Sequence, residues 1–344
     1  TLASQVVGFL GGEGHGQYGL EGYYDEVLQG KEEILQGEMV PWWGLAGIWS
    51  TLTSKGSDLH LTLDFNIQFA AEQALERAKK TLKIEEGQII VMAPDSGEIL
   101  ALANFPNFDP NQYSQENLEV FQNGAIQKIF EPGSVFKPIT MAAALDRGII
   151  TSKTTYQDTG KVQIGGYTIY NYDGRVWGER TMTEVLEKSI NTGAVFVGRQ
   201  LGPDLFLKYI ERFGFFDKTG VDLQGEVSSD IKNLKEGSEI NFATASFGQG
   251  IAVTPIQLAR AFCAIANGGK LVKPHIVRSS ENEQELKEGV ISLQTSSQLT
   301  AMLVSVVENG FAKAARIPGY YVAGKTGTAQ VPYENKRGYY TCLL

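Results

Sequence analysis

The chain has 344 residues, a net charge of −9, 42% hydrophobic and 20% charged residues, a globular texture that needs no structural metal or disulfide framework. The acidic balance comes without any cluster of Lys and Arg, which excludes the electrostatic footprint of a nucleic-acid binder. No run approaches the roughly 18 apolar residues of a membrane span; because the chain opens on Thr1, targeting information is expected upstream of it.

Residues 1–57 are glycine-rich, with Gly8, Gly11, Gly12, Gly14, Gly16, Gly19 and Gly22, and offer one short helix near Gly22–Leu28. The segment is expected to be an irregular module leaning on something larger. Leu61, Leu63 and Phe65 then alternate as a strand would. Ile67–Thr81 predicts an amphipathic helix with Ala70, Ala74, Leu75 and Ala78 on one face. Two apolar runs, Gln88–Ala93 and Glu98–Ala103, flank the turn Pro94-Asp95-Ser96-Gly97 and predict an antiparallel hairpin. After an Asn- and Pro-rich loop, a helix is expected from Ser134 to Arg147, stopped by Gly148. Further helices are expected at Met182–Ser189, Pro203–Phe213, Pro255–Asn267 and Ser296–Asn309, and a strand at Tyr320–Val331. Strands towards both ends with helices between them predict an α+β fold, an antiparallel sheet flanked by helices. Cys263 sits in an apolar helical stretch and is expected to be a buried free thiol; Cys342 does not form a disulfide framework with it. His15, His60 and His275 are scattered without ligand spacing, so no metal is expected.

Three short motifs carry chemistry: Ser134-Val-Phe-Lys137, Ser189-Ile-Asn191 and Lys325-Thr-Gly-Thr328. Each also has a second copy, at Ser229-Asp-Ile-Lys232, Ser280-Glu-Asn282 and Lys218-Thr-Gly220, so context must decide between them. Ser134 follows Glu131-Pro-Gly133 and opens an apolar helix, which places Lys137 one turn away on the same face. A lysine whose pKa is lowered by burial and neighbouring positive charge could take the serine proton, and the helix N-terminus favours negative charge on the oxygen. Pro138 is expected to bias Lys137 away from helical angles, although a first turn tolerates proline. Ser229 and Lys232 lie in a polar stretch without a periodic apolar face, as solvated loop residues do. Ser189 and Asn191 also fit a helix C-terminus followed by an N-cap. Small residues around Lys325–Thr328 allow a ligand close to a strand backbone. Strand alternation would put Lys325 and Gly327 on one face and Thr326 and Thr328 on the other. Lys218 fits a turn between elements.

With these residues placed, the sequence resembles the penicillin-binding proteins, and among them the class B, monofunctional transpeptidases. The ordered Ser-x-x-Lys, Ser-x-Asn and Lys-Thr-Gly set is an established signature of that superfamily. The second copies run in the wrong order. Tyr18–Asp25 through Gly30-Lys31 is similar to the end of the class B pedestal, and Ile89–Ala103 and Phe247–Ala259 are similar to further family segments. The resemblance implies a pedestal remnant over 1–57 and a transpeptidase domain over 58–344. It implies that Ser134 attacks the D-Ala-D-Ala carbonyl of a peptidoglycan stem peptide and releases D-alanine, with Lys137 as base. Ser189 would relay a proton to the leaving amine, and Asn191 would orient Lys137 and the substrate amide. Lys325, Thr326, Gly327 and Thr328 would bind the carboxylate of the substrate or of a β-lactam, and the backbone N–H groups of Ser134 and Thr328 would form the oxyanion hole. No cofactor is implied.

Further implied are a membrane glycosyltransferase partner and a place on the extracytoplasmic face of the bacterial membrane, anchored by an N-terminal helix outside this chain. The family adds two sheet strands and a closing helix after the equivalent of Gly338-Tyr-Tyr, whereas this chain stops at Thr341-Cys-Leu-Leu344. Truncation of the sheet and marginal stability are therefore expected. Three alternatives share the motifs: a β-lactam-hydrolysing or β-lactam-sensing enzyme, the transpeptidase half of a bifunctional class A protein, and a non-catalytic scaffold of the cell-wall machinery. The pedestal-like segment weighs against the first two and the intact side-chain set against the third.

Overall fold

The computed structural model describes residues 1–30, 32–34, 51–53, 56–278, 289–332 and 339–343. Among them, the predicted hairpin forms as Gly87–Met92 paired antiparallel with Ile99–Phe105, from Gly87↔Phe105 to Met92↔Ile99 with a register shift at Val91/Met92. Its two faces bury different partners. Ala101 and Ala103 pack with Ala71 and Leu75 of the Phe65–Leu82 helix, while Ile99 and Leu102 pack with Ile126, Ile256 and Ile276. The Phe65–Leu82 helix starts where the Asp64 carboxylate accepts the N–H groups of Asn66 and Ile67. Gln68 then mimics a strand neighbour: its amide accepts from Leu102 N at 2.8 Å and donates to Leu102 O at 3.1 Å.

The helical half surrounds the Lys137–Asp146 helix, whose residues Lys137 through Leu145 are all buried. Around it lie Met182, Val185 and Leu186 of the Met182–Glu187 helix, Val197 and Leu201 of the Asn191–Leu201 helix, and Leu299, Met302, Leu303, Val306 and Val307 of the Leu293–Asn309 helix. Burying each such aliphatic side chain stabilises the fold by about 1.5–3 kcal/mol, so this helix is a rigid mount for its own first turn. The expected helices at 182, 203, 255 and 296 appear as Met182–Glu187, Pro203–Arg212, Pro255–Ala266 and Leu293–Asn309. A Thr181–Glu184 capping box starts the first of these and a Thr254–Gln257 box the third.

The N-terminal segment is irregular, with helices Ser4–Val7, Gly19–Tyr23 and Asp25–Gln29. It leans on the rest of the molecule through Val6 and Leu20, which join the core at Ile99 and Leu102. Phe9 stacks on Tyr113 at 4.2 Å and packs with Phe108 and Phe121. The helix expected at Gly22–Leu28 is split at Tyr24, which caps one helix and precedes the next.

Five further expectations are corrected. The α+β composition holds, but the strands form six two-stranded antiparallel ladders among the described residues rather than one continuous sheet. Leu61, Leu63 and Phe65 do not make a strand: Leu61 forms a single bridge to Val277, and the Asp64 cap turns Phe65 into the following helix. The Ser134–Arg147 helix is two elements, a 3₁₀ turn Gly133–Phe136 and the α-helix Lys137–Asp146. Lys137 is nonetheless helical, at φ −54° and ψ −38°, because Pro138 falls in the first α-turn where no N–H is required. In the last stretch only Thr328–Pro332 pairs, against Tyr339–Leu343. Thr328 meets Leu343, so residues 320–327 have no cross-strand partner among those described.

Candidate active site

Ser134 sits half-buried in the Gly133–Phe136 turn. The segment Phe247–Val253 clamps that turn from behind. Gly133 N donates to Gly248 O at 2.9 Å, and Phe130 and Val253 exchange both backbone hydrogen bonds at 3.0 Å. Gly250 N donates to Glu131 Oε1 at 2.9 Å, and burial raises the pKa of that carboxyl despite the bond. Gly248 has φ +79°, and a Cβ there would stand 2.2 Å from Gly133 O. Glycine is thus required for both reasons, left-handed backbone and close approach. The strand Thr328–Pro332 packs against the same turn from the front.

Lys137 is completely buried, at 0% exposure. Its amine donates to Ser189 O at 2.6 Å, Ser189 Oγ at 3.1 Å and Asn191 Oδ1 at 2.8 Å. Burial, and then the charge of Lys325, hold its pKa well below the ordinary lysine value. Lys325 donates to Ser189 Oγ at 2.9 Å and to Thr326 O at 2.8 Å. Desolvation pushes its pKa down to about 7. Ser189 Oγ therefore bridges the two amines, and Lys325 keeps a third N–H for a ligand.

Ser189 occupies the left-handed region at φ 54°, which costs a non-glycine residue roughly 1–3 kcal/mol. The turn is held by Ser189 N to Leu186 O at 3.2 Å and Ile190 N to Val185 O at 2.9 Å. Asn191 then opens the Asn191–Leu201 helix, and its Nδ2 donates to Tyr170 O at 3.1 Å. The helix-end and N-terminal geometry at Ser189 and Asn191 is real, and so is their convergence on Lys137.

Lys137, Ser189, Asn191 and Lys325 thus form one hydrogen-bonded cluster. The hydroxyls of Ser134, Thr326 and Thr328 make no hydrogen bond to it among the described residues. Thr326 is exposed, Gly327 buried and Thr328 half-buried, and of these residues only Thr328 is paired in a strand. Two supports are missing from the sequence reading. One is Gly248. The other is a buried polar group behind Asn191, built on Asp158, Asn171 and Thr192. No short-range pattern shows their roles, because the contacts that matter are remote: Gly248 to Gly133, and Asp158 to Thr192 at 34 residues' separation.

The second copies fare differently. Ser229 Oγ donates to Phe215 O, and the Lys232 side chain is 86% exposed beside Asp230. Glu226 accepts Thr219 N and Oγ1 at 2.6 Å and Gly220 N at 3.0 Å, which makes Lys218-Thr-Gly220 a structural turn. Ser280 and Asn282 lie outside the described residues. Cys263 is a buried free thiol, with its pKa pushed up to about 12 by burial and then by Asp95. Among the described residues no helix is long and apolar enough to cross a membrane.

Residues 87–343 match the family described as penicillin binding protein transpeptidase domain. Stage V sporulation protein D of Bacillus subtilis is 36% identical over 98% of this chain and 54% of its own length. The peptidoglycan D,D-transpeptidase FtsI homolog of Mesostigma viride is 32% identical over 99% of the chain and 62% of its length. Thus the chain spans little more than half of the curated relatives it matches. Among solved structures, penicillin-binding protein 3 of Mycobacterium tuberculosis, in its apo form and complexed with aztreonam, superposes with a TM-score of 0.86 at 31% identity, covering 98% of this chain and 76% of that one.

Proposed function

This chain belongs to the penicillin-binding protein transpeptidase family, and from that premise we propose that it is the catalytic part of a peptidoglycan D,D-transpeptidase with Ser134 as nucleophile. The observation that carries the reading is Lys137: a fully buried amine, one turn from Ser134, tied to Ser189 and Asn191 and depressed in pKa beside Lys325. In its neutral form Lys137 keeps the N–H bonds to Ser189 O and Asn191 Oδ1 and gives up the third donation, to Ser189 Oγ, which frees a lone pair to take the proton of Ser134 as the oxygen attacks the penultimate D-Ala carbonyl. The backbone N–H groups of Ser134 and Thr328 receive the oxyanion. Ser189, bonded to both amines, passes a proton to the departing D-alanine, whose carboxylate sits on Lys325, Thr326, Gly327 and Thr328. The amine of a second stem peptide then attacks the acyl-enzyme and closes the cross-link.

A β-lactam follows the same first step, but ring opening leaves the would-be leaving group attached. The M. tuberculosis relative has been crystallised as a complex with aztreonam, which supports acylation of this chain by the same class of compound. Residues 1–57 are assigned to the end of a pedestal and 58–344 to the transpeptidase domain. The parent protein would work on the extracytoplasmic membrane face, anchored by a segment outside this chain and beside a membrane glycosyltransferase. The test is D-alanine release from a stem pentapeptide with an acceptor amine present: wild type should release it and form the cross-linked product, and Ser134→Ala should do neither. Undiminished release by Ser134→Ala would overturn the assignment.

A further inference from the structure

Behind Asn191 lies a carboxylate that the mechanism above does not use. Asp158 is 1% exposed, yet its oxygens receive Thr192 Oγ1 at 2.7 Å, the Tyr156 hydroxyl at 2.9 Å, Gly160 N at 3.0 Å, Trp177 N at 2.8 Å and Asn171 Nδ2 at 3.0 and 2.9 Å. Burial raises its pKa, but the Thr192 hydroxyl and the backbone amides outweigh it and hold the group below the usual carboxylate value. A buried charge this fully satisfied fixes the orientation of everything that donates to it.

Two consequences reach Asn191. With the Asn171 amide N–H₂ drawn to Asp158, its Oδ1 must face the other way, and there it accepts Thr192 N at 3.1 Å, while the Thr192 hydroxyl donates to Asp158. Thr192 is the second residue of the Asn191–Leu201 helix, so the start of that helix is pinned through both backbone and side chain. Asn171 also follows Tyr170, whose carbonyl receives Asn191 Nδ2 at 3.1 Å. Both ends of the Asn191 amide are therefore set: Nδ2 on a carbonyl one residue from the network, Oδ1 on the Lys137 amine at 2.8 Å.

We propose that Asp158 is a positioning residue for acylation, holding the first turn of the Asn191–Leu201 helix so that Asn191 keeps its hydrogen bond to Lys137. The inference rests on the transpeptidase reading of Ser134 and Lys137. It goes beyond that reading by placing a determinant of the acylation rate 33 positions before Asn191, on a different element.

The experiment measures fluorescent penicillin labelling of Asp158→Asn, Thr192→Val, Asn191→Ala and the double variant Asp158→Asn/Asn191→Ala. It separates the final labelling stoichiometry from the acylation rate constant at saturating penicillin. Asp158→Asn should label to full stoichiometry but about 10- to 100-fold more slowly, the scale of a displaced catalytic contact. Thr192→Val, which removes one hydroxyl and keeps the backbone bond, should slow by about fivefold and decides the matter if Asp158→Asn does not fold. In the Asn191→Ala background, Asp158→Asn should add little further loss, because the residue it positions is gone. A merely structural role would lower stoichiometry and leave the rate constant of the active fraction unchanged; that result, or equal losses in both backgrounds, would overturn the proposal. A wild-type chain that never labels at Ser134 refutes the transpeptidase reading itself, whatever the Asp158 variants do.

Discussion

Two stretches of this molecule spell Ser-x-x-Lys, and they have almost nothing else in common. At Ser134–Lys137 the lysine is 0% exposed and meets three oxygens within 3.1 Å. At Ser229–Lys232 the lysine side chain is 86% exposed, its nearest acid 4.0 Å away, and the serine hydroxyl is spent on the carbonyl of Phe215. The spacing places a hydroxyl and an amine on neighbouring elements in both cases. In the proposed mechanism, what makes one of them a base is desolvation plus a second amine, and both come from segments far away in sequence.

Exchanging the two lysines for alanine tests this contrast hardest. Lys137→Ala should slow penicillin acylation by about 10²–10⁴-fold, the usual worth of a general base, whereas Lys232→Ala should leave it within twofold. Stopped-flow or gel-based labelling rates check both, and comparable losses in the two variants would erase the distinction.

A backbone version of the comparison uses two glycines of positive φ. Gly248→Ala forces a Cβ to within 2.2 Å of Gly133 O, behind the Ser134 turn, whereas at Gly237, φ +73° and close to Lys232, an added Cβ meets nothing within 4 Å. Gly248→Ala should cut the acylation rate by about 10- to 100-fold and lower the melting temperature. Gly237→Ala should cost only the left-handed backbone penalty of about 1–2 kcal/mol and leave the acylation rate unchanged.

The smallest effect concerns pH. Lys325, with its pKa pushed down to about 7, is charged below that value and neutral above it, and only the charged form attracts a carboxylate. The second-order rate constant for acylation should therefore fall as pH rises through about 7. Lys137 gives the opposite limb, because protonation at lower pH removes the base. Lys325→Arg, whose guanidinium stays charged, should abolish the alkaline fall, and a pH profile identical to wild type would contradict the assigned role.

Local pattern carried the parts of this fold whose physics is local. The 88–103 hairpin, the helices beginning at Pro203 and Pro255 and the buried environment of Cys263 were all legible from periodicity and turn or cap chemistry. So was the one-turn separation of Ser134 and Lys137. Failures occurred where a tertiary partner decides. Leu61–Phe65 has the alternation of a strand, but an aspartate cap wins at residue 64, and Tyr320–Gly327 has strand composition without a neighbouring strand among the described residues. The bond from Lys137 to Ser189 joins residues 52 apart, and that from Lys325 to Ser189 spans 136; motif order anticipated both, but no spacing rule could supply their geometry. Asp158 had no motif to compensate, because it acts through a helix start; Gly248 lies in the family-like segment Phe247–Ala259, but its close approach to Gly133 is set by a partner 115 positions away.

The central claim is that Ser134, and not the equally spaced Ser229, is the nucleophile. Mass spectrometry of the protease-digested penicillin adduct tests it most directly. A single modified peptide is expected, with the acyl group on Ser134, absent from Ser134→Ala and retained in Ser229→Ala. An adduct on Ser229, or one that survives Ser134→Ala, would contradict it.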